Sequence, residues 1–281
     1  MRNYFCGWYL KNQNEHQTVA LIPAYHITGG EKSCSLQIIT NDQSWNVTFP
    51  YEKFQFGDSG VDIGKNHFSR EGVTLDLHTG EITATGSLSF GPFAPLRYDI
   101  MGPFRYVPFL ECRHSVYSMK HTVNGHLEIN GISYDFRNAV GYTEGDRGRS
   151  FPREYVWAQC CFPEGSVMVS VADIPFCGFR FTGVIGAIHY RGKEYRLGTW
   201  MGARAVLIHD GEVVIKQGAQ MLVVKRLEKK GHPLAAPVGG SMLRTIHETA
   251  ACKARFCFQK KGKTVFDFVA DHVSFEYEYP R

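Results

Sequence analysis

Apolar and polar residues alternate with a period of two along most of the chain. Ile132, Tyr134 and Phe136 interleave with Ser133, Asp135 and Arg137, and Val273, Phe275, Tyr277 and Tyr279 with Ser274, Glu276 and Glu278. Cys252, Ala254, Phe256 and Phe258 interleave in the same way with Lys253, Arg255 and Gln259. Successive side chains of a strand point to opposite faces, so the pattern predicts antiparallel strands with one face in a core and one in water. Tight-turn signals separate the runs: Asn130-Gly131, Arg191-Gly192-Lys193, Asp210-Gly211 and Lys261-Gly262-Lys263. Glycine and asparagine supply the positive φ that two-residue hairpins need. Prolines and the Gly239-Gly240 pair exclude a long helix over residues 231–241, and only residues 242–251 (MLRTIHETAA) are suited to a helical turn or two.

Many short strands joined by tight turns predict an all-β protein built as a sandwich or barrel. One stretch breaks the alternation: residues 91–109 carry Pro92, Pro95, Pro103 and Pro108. It is expected to cross between two β units, with a boundary near residue 113, giving units 1–113 and 114–281. A chain of 281 residues is long enough for two packed units without disulfide staples.

Composition narrows the function classes. A hydrophobic fraction of 43% against 21% charged is that of a globular protein. The formal charge of +4 is scattered. Its densest run, Lys225-Arg226 with Lys229-Lys230, reads as the solvated end of a strand, so no nucleic-acid partner is expected. No apolar stretch reaches transmembrane length. The opening MRNYFCGWYLK lacks a charged-then-apolar leader, so the chain is expected in the cytoplasm with its eight cysteines as thiols. Cys34, Cys177 and Cys252 sit among apolar residues as small core side chains. On that expectation the Asn46-Val47-Thr48 sequon is a chance match. Cys160 and Cys161 are adjacent, no CxxC pair exists, and His114 and His121, seven apart, face opposite sides of a strand. No metal site is therefore expected. Dinucleotide, P-loop, zincin and nucleophile-elbow motifs are absent.

Two stretches stand out. Residues 4–11, YFCGWYLK, crowd four aromatics around Gly7 and end in Lys11. Residues 141–160, GYTEGDRGRSFPREYVWAQC, set Glu144, Asp146, Arg147, Arg149 and Arg153 among Tyr142, Phe151, Tyr155 and Trp157. On composition alone these are aromatic core beside a charged loop. The same residue types can also hold a carboxyl group in a dry pocket as an acid, with ring faces to stabilise a cation.

In order and spacing these stretches resemble the tocopherol cyclase-like family. A family opening YFxGWYxK is matched by Tyr4, Phe5, Gly7, Trp8, Tyr9 and Lys11. A signature YxEKNWGxxFPxxWxWxQC is matched by Tyr142, Glu144, Gly148, Phe151, Pro152, Trp157, Gln159 and Cys160. A run HYxGKxYxxxxW is matched by His189, Tyr190, Gly192, Lys193, Tyr195 and Trp200, and GHPLAAP, residues 231–237, is similar to a family GxPLxAP run. The sequence departs where Lys-Asn-Trp of the signature becomes Gly145-Asp146-Arg147, and where an aromatic becomes Tyr155.

The resemblance implies a calycin-like fold of two packed lipocalin-like β units, akin to carotenoid hydratase-like proteins. It implies acid-promoted ring closure of a prenylated hydroquinone, or hydration, with no cofactor. On that basis Glu144 or Asp146 is the expected acid, Glu144 being favoured because Arg147 neighbours Asp146. Trp8, Tyr9, Tyr142, Trp157, Gln159 and Trp200 are expected to line the ligand site. Lys11 and Arg153 are expected to anchor a polar head or pair with the carboxylates, Glu144 with Arg153 in particular. The expected partner is an apolar small molecule held between the units. The alternatives are a non-catalytic carrier of a lipid or isoprenoid, and a scaffold without a ligand.

Overall fold

The computed structural model describes residues 3–57, 59–108, 110–176, 178–228 and 232–280. Strands make up nearly all of the regular structure, and no α-helix occurs among the described residues. The expected turns form tight hairpins. Asn130, Arg191, Asp210 and Lys261 hold φ between 43° and 52°, and each precedes a glycine that is also at positive φ. Two successive left-handed residues make the turn whose twist matches the flanking strands.

The strands form two antiparallel sheets, one of eleven strands and one of ten. Both follow one plan. The chain meanders out from an opening strand, turns round, and meanders back until the closing strand pairs with the opening one. In the first unit strand Tyr4–Gln13 pairs with Ile132–Gly148, and in the second Tyr155–Phe162 pairs with Lys263–Tyr277. A short 3-10 turn makes the reversal in each: Tyr51–Lys53 joins the edges of the first sheet, Thr199–Met201 those of the second. One sheet is a nearly closed barrel and the other a half-barrel, packed together.

The passage between sheets falls at residues 149–154, not at 113, which lies within strand Cys112–Ile129 of the first sheet. The proline-rich stretch instead links two neighbouring strands of that sheet, Thr83–Phe90 and Cys112–Ile129. It makes an excursion onto the second unit. Arg196 donates to the carbonyls of Tyr98 (2.9 Å) and Asp99 (3.0 Å), and the ring of Phe104 meets those of Phe181 and Trp200. Its prolines therefore mark a strap and not a boundary. Residues 242–251 also differ from expectation and lie in strand Ser241–Lys260. Pairing with strand His232–Val238 and burial of Ile246 and Ala250 override their weak helical composition.

Seven described cysteines are free thiols, with Cys34 and Cys252 fully buried. Lys225 pairs with Glu212 near the end of strand Gln220–Arg226. Cys177, Lys229, Lys230 and Gly231 lie outside the described residues. No helix among the described residues is long and apolar enough to cross a membrane.

The expected single buried face fails where it matters most. All eight residues of Tyr155–Phe162 are buried. Val156, Ala158 and Cys160 enter the core of their own unit, while Tyr155, Trp157 and Cys161 turn toward the first unit. Leu10 likewise enters the first barrel while Tyr9 faces the second unit. The outer faces of the opening and closing strands thus build a third core between the units. Polar side chains cross it: Tyr9 Oη lies 2.9 Å from Ser274 Oγ, and Lys11, 1% exposed, donates to the His272 carbonyl at 2.6 Å and to Gln159 at 3.2 Å.

Phe256 is fully buried in the core of the second unit. Phe256→Ala is expected to lower unfolding stability by about 3–5 kcal/mol, read as a shift in urea midpoint. A loss below about 1 kcal/mol would mean that this core is not packed as described.

Candidate functional site

The third core is not filled throughout. Between the units lies a cavity of about 180 Å³, walled by apolar side chains such as Phe5, Ile22, Phe151, Trp157, Phe181 and Leu234. A dry cavity of about 150 Å³ accepts benzene, so this space admits a ring-sized apolar group. Into it project His114, Glu144, Asp146 and Glu276. A second hollow of about 450 Å³ lies where strands 155–162 and 263–277 splay apart. Its Asp267 and Asp271 are paired with Arg255 and Lys253 near the surface, so the buried acid groups belong to the smaller cavity.

Strand register assembles the acid cluster. Tyr9 stands opposite Glu144 on the opening strand, and His114 stands opposite Asp146 on the other neighbour. His114 Nδ1 is 3.0 Å from Asp146 Oδ1, and Nε2 makes an ion-pair contact of 3.1 Å with Glu144 Oε2, outside hydrogen-bond alignment. The same Oε2 accepts hydrogen bonds from the Tyr142 hydroxyl and, across the unit boundary, from Trp157 Nε1 at 3.3 Å. No hydrogen bond reaches Oε1 among the described residues. Burial alone would push the His114 pKa down, but the two carboxylates outweigh it and hold it well above the usual histidine value. Burial, reinforced by the charge of Glu144, raises the Tyr142 hydroxyl well above its usual range, so it stays a donor.

Gly145 shows why the signature departs from the family pattern here. A Cβ at this position would lie 2.9 Å from the Gly7 carbonyl and 3.0 Å from the Tyr117 ring, which leaves no room for a lysine.

The structure places the expected site residues unequally. Trp8, Tyr9, Glu144, Asp146 and Trp157 border the cavity, with the Tyr9 and Trp157 rings edge to face at 5.3 Å. Trp8 also stacks on Phe54 inside its own unit. Tyr142 supports Glu144 from behind. Lys11 and Gln159 bond to each other away from the cavity. Trp200 stands behind Phe104, which reaches the cavity in its place. Arg153 is exposed and makes no pair with Glu144, because the chain leaves the sheet before it. Asp146 meets His114 and the Cys112 thiol, at 3.3 Å, and not an arginine: adjacent strand residues face opposite sides, which turns Arg147 away.

Sequence reasoning missed His114 and Glu276. Spacing could not join His114 to carboxylates on another strand, and the alternation placed Glu276 on a wet face. Glu276 is 8% exposed and accepts a hydrogen bond from the Tyr155 hydroxyl.

His114, Glu144 and Asp146 present ligand atoms within 4.8 Å of one another and could hold a cation. The donors already in place suit a shared proton better, since His114 turns one ring nitrogen to each carboxylate and Tyr142 and Trp157 donate to Glu144. A histidine whose pKa is raised by folding contributes stability below its unfolded value, about 6.5, and loses it as pH climbs through the folded value. The stability gap between wild type and His114→Gln should therefore be widest near about pH 5–6.5 and shrink toward alkaline pH, as followed by thermal unfolding. A gap that widens with pH would mean that His114 is neutral in the folded protein.

Comparison with known proteins agrees with this architecture. The tocopherol cyclase-like family profile matches residues 81–277. A chloroplastic tocopherol cyclase of Zea mays is 31% identical over 104 residues, a match spanning 34% of this chain and 22% of the maize protein. Kievitone hydratase from Nectria haematococca superposes with a TM-score of 0.58 at 12% identity, covering 98% of this chain and 89% of that one. CghA, solved with Sch210972, gives a TM-score of 0.61 at 8% identity, with coverage of 98% and 88%. At such identity these solved structures share the fold. With most of its length matched by the family profile, the chain belongs to the tocopherol cyclase-like family.

Proposed function

We propose that this protein binds a prenylated phenol, or a similarly apolar small molecule, between its two β units and adds a proton to a prenyl double bond. Capture of the resulting tertiary cation by the phenol oxygen closes a ring, and capture by water gives the hydrated product. The observation that carries this reading is the carboxylate–imidazolium–carboxylate cluster opening onto an apolar cavity. Alkene protonation needs an acid in a site that excludes water, and the cluster supplies a proton where most of the wall is hydrocarbon.

The roles follow from geometry. Glu144 is the acid that touches the ligand. Its Oε2 is engaged by Tyr142, Trp157 and His114, which leaves Oε1 as the oxygen that faces substrate. His114 sits between Glu144 and Asp146, and the Asp146 side chain is the most exposed of the three, at 22%. His114 thus keeps an ionisable proton beside both carboxylates, bonded on the more exposed Asp146 side. The Tyr9 and Trp157 rings border the same cavity and are the aromatic groups assigned to stabilise the cation. The balanced reaction is an isomerisation or a hydration and needs no redox partner. Similarity to a tocopherol cyclase in sequence and to a kievitone hydratase in fold supports this pair of outcomes.

A carrier of the same ligand class is the second reading, favoured by the extent to which Glu144 is already bonded within the protein. Incubation with a prenylated hydroquinone decides between them. The wild type is expected to form the chromanol, and Glu144→Gln to lose at least about a hundredfold in rate at unchanged melting temperature. Asp146→Asn should slow turnover less. Saturable quenching of tryptophan fluorescence without any conversion would leave the carrier.

A further inference from the structure

The two units repeat more than a strand plan. Glu144 stands opposite Tyr9 where the closing strand of the first unit meets its opening strand, and Glu276 stands opposite Trp157 at the matching place in the second. Tyr9 and Trp157 touch each other. Each glutamate accepts a hydrogen bond from a tyrosine, Tyr142 for Glu144 and Tyr155 for Glu276. Both glutamates are buried and both border the one cavity between the units.

Their surroundings then diverge. Glu144 is joined to an imidazolium and through it to Asp146. Glu276 has the Tyr155 hydroxyl, whose pKa is pushed well above its usual range by burial first and by the Glu276 charge second, so the phenol stays protonated and donates. The Arg244 guanidinium lies over the Tyr155 ring, 5.7 Å from its centre, and bonds to Glu278 at 2.9 Å and to the carbonyls of Pro152 and Arg153. Glu144 is coupled to an imidazolium, and Glu276 accepts from a phenol that stays protonated.

We propose that Glu276 is a second catalytic carboxylate, the base that receives the hydroxyl hydrogen of the attacking phenol or water, with Tyr155 as its positioning residue. This rests on the reading of the cavity given under Proposed function and assigns the half of the reaction that Glu144 leaves open. The Glu144 side delivers a proton to the alkene and a C–H bond forms. The hydroxyl oxygen then closes a C–O bond onto the tertiary carbon while its O–H bond breaks toward Glu276. One proton enters and one leaves, and passage of the second back to solvent restores the starting state. An acid and a base bordering one cavity is the arrangement that addition across a double bond requires.

Binding isolates this contact from turnover. Fluorescence titration compares a prenylated hydroquinone with its monomethyl ether at the hydroxyl next to the prenyl chain. Wild type is expected to bind the free phenol about tenfold tighter, the scale of one hydrogen bond to a charged acceptor. Glu276→Gln should bring that ratio close to one with ether affinity unchanged, while Glu144→Gln keeps the ratio. If Glu276→Gln does not fold by near-ultraviolet circular dichroism, Tyr155→Phe takes its place. It retains the carboxylate but not the hydroxyl that positions it, so the ratio should fall by about threefold or more. A ratio near one in the wild type, or an undiminished ratio in whichever of the two variants folds, would overturn the assignment. A ratio that depends on Glu276 in a protein that converts nothing would support the contact while removing the catalytic reading of Glu144.

Discussion

A carboxylate taken out of water must be met by donors, and that requirement organises the contact between the two units. Glu144 is buried where three strands converge, and each contributes to satisfying it: Tyr142 from its own strand, His114 from the neighbouring strand, and Trp157 from the other unit. Deprived of those groups the buried charge would cost several kcal/mol. The bond from Trp157 therefore ties chemistry to architecture, since the units must dock in one register for the acid to be tolerated. Lys11, buried and bonded to Gln159 and the His272 carbonyl, imposes the same demand a few residues along the interface.

Because both units use the same strand plan, the interface is built from equivalent strands, and a cavity remains where their aromatic and acidic positions meet. The strap of residues 91–108 borders the cavity as well. Met101 and Phe104 reach the cavity from it, and Trp200 backs Phe104. The cavity with the buried acids lies between the docked units and not inside either sheet. The bores are occupied by packed side chains such as Leu36, Ile38 and Phe136 in one unit and Phe256, Phe258 and Phe275 in the other.

Much of this is legible from local pattern. Period-two alternation and Gly-containing turns depend on neighbours in sequence, so strands and hairpins such as Asn130-Gly131 could be read directly. The motif residues Trp8, Tyr9, Glu144, Asp146 and Trp157 could be read because they are clustered along the chain. Features created by one sheet lying on another were hidden. Glu276 looks like the wet face of an ordinary strand until a second unit covers it. His114 has no carboxylate near it in sequence and two across its strand pair. The prolines of residues 91–109 announced a break in pairing but not which unit the segment would rest upon, a matter settled by Arg196 and Phe181. Arg153 and Trp200 belong to matched motifs yet stand away from the cavity, because a motif records packing as readily as contact with a ligand.

The central claim is that the space between the units is the ligand site and that its acids face the reacting end. A crystal structure of the Glu144→Gln protein with a bound prenylated hydroquinone addresses it most directly. The aromatic head and first isoprene unit are expected beside Trp157, with the alkene next to residue 144 and the neighbouring hydroxyl toward Glu276. Ligand found instead in the hollow bordered by Phe162, Phe266 and His272, with the cavity between the units empty, would contradict it.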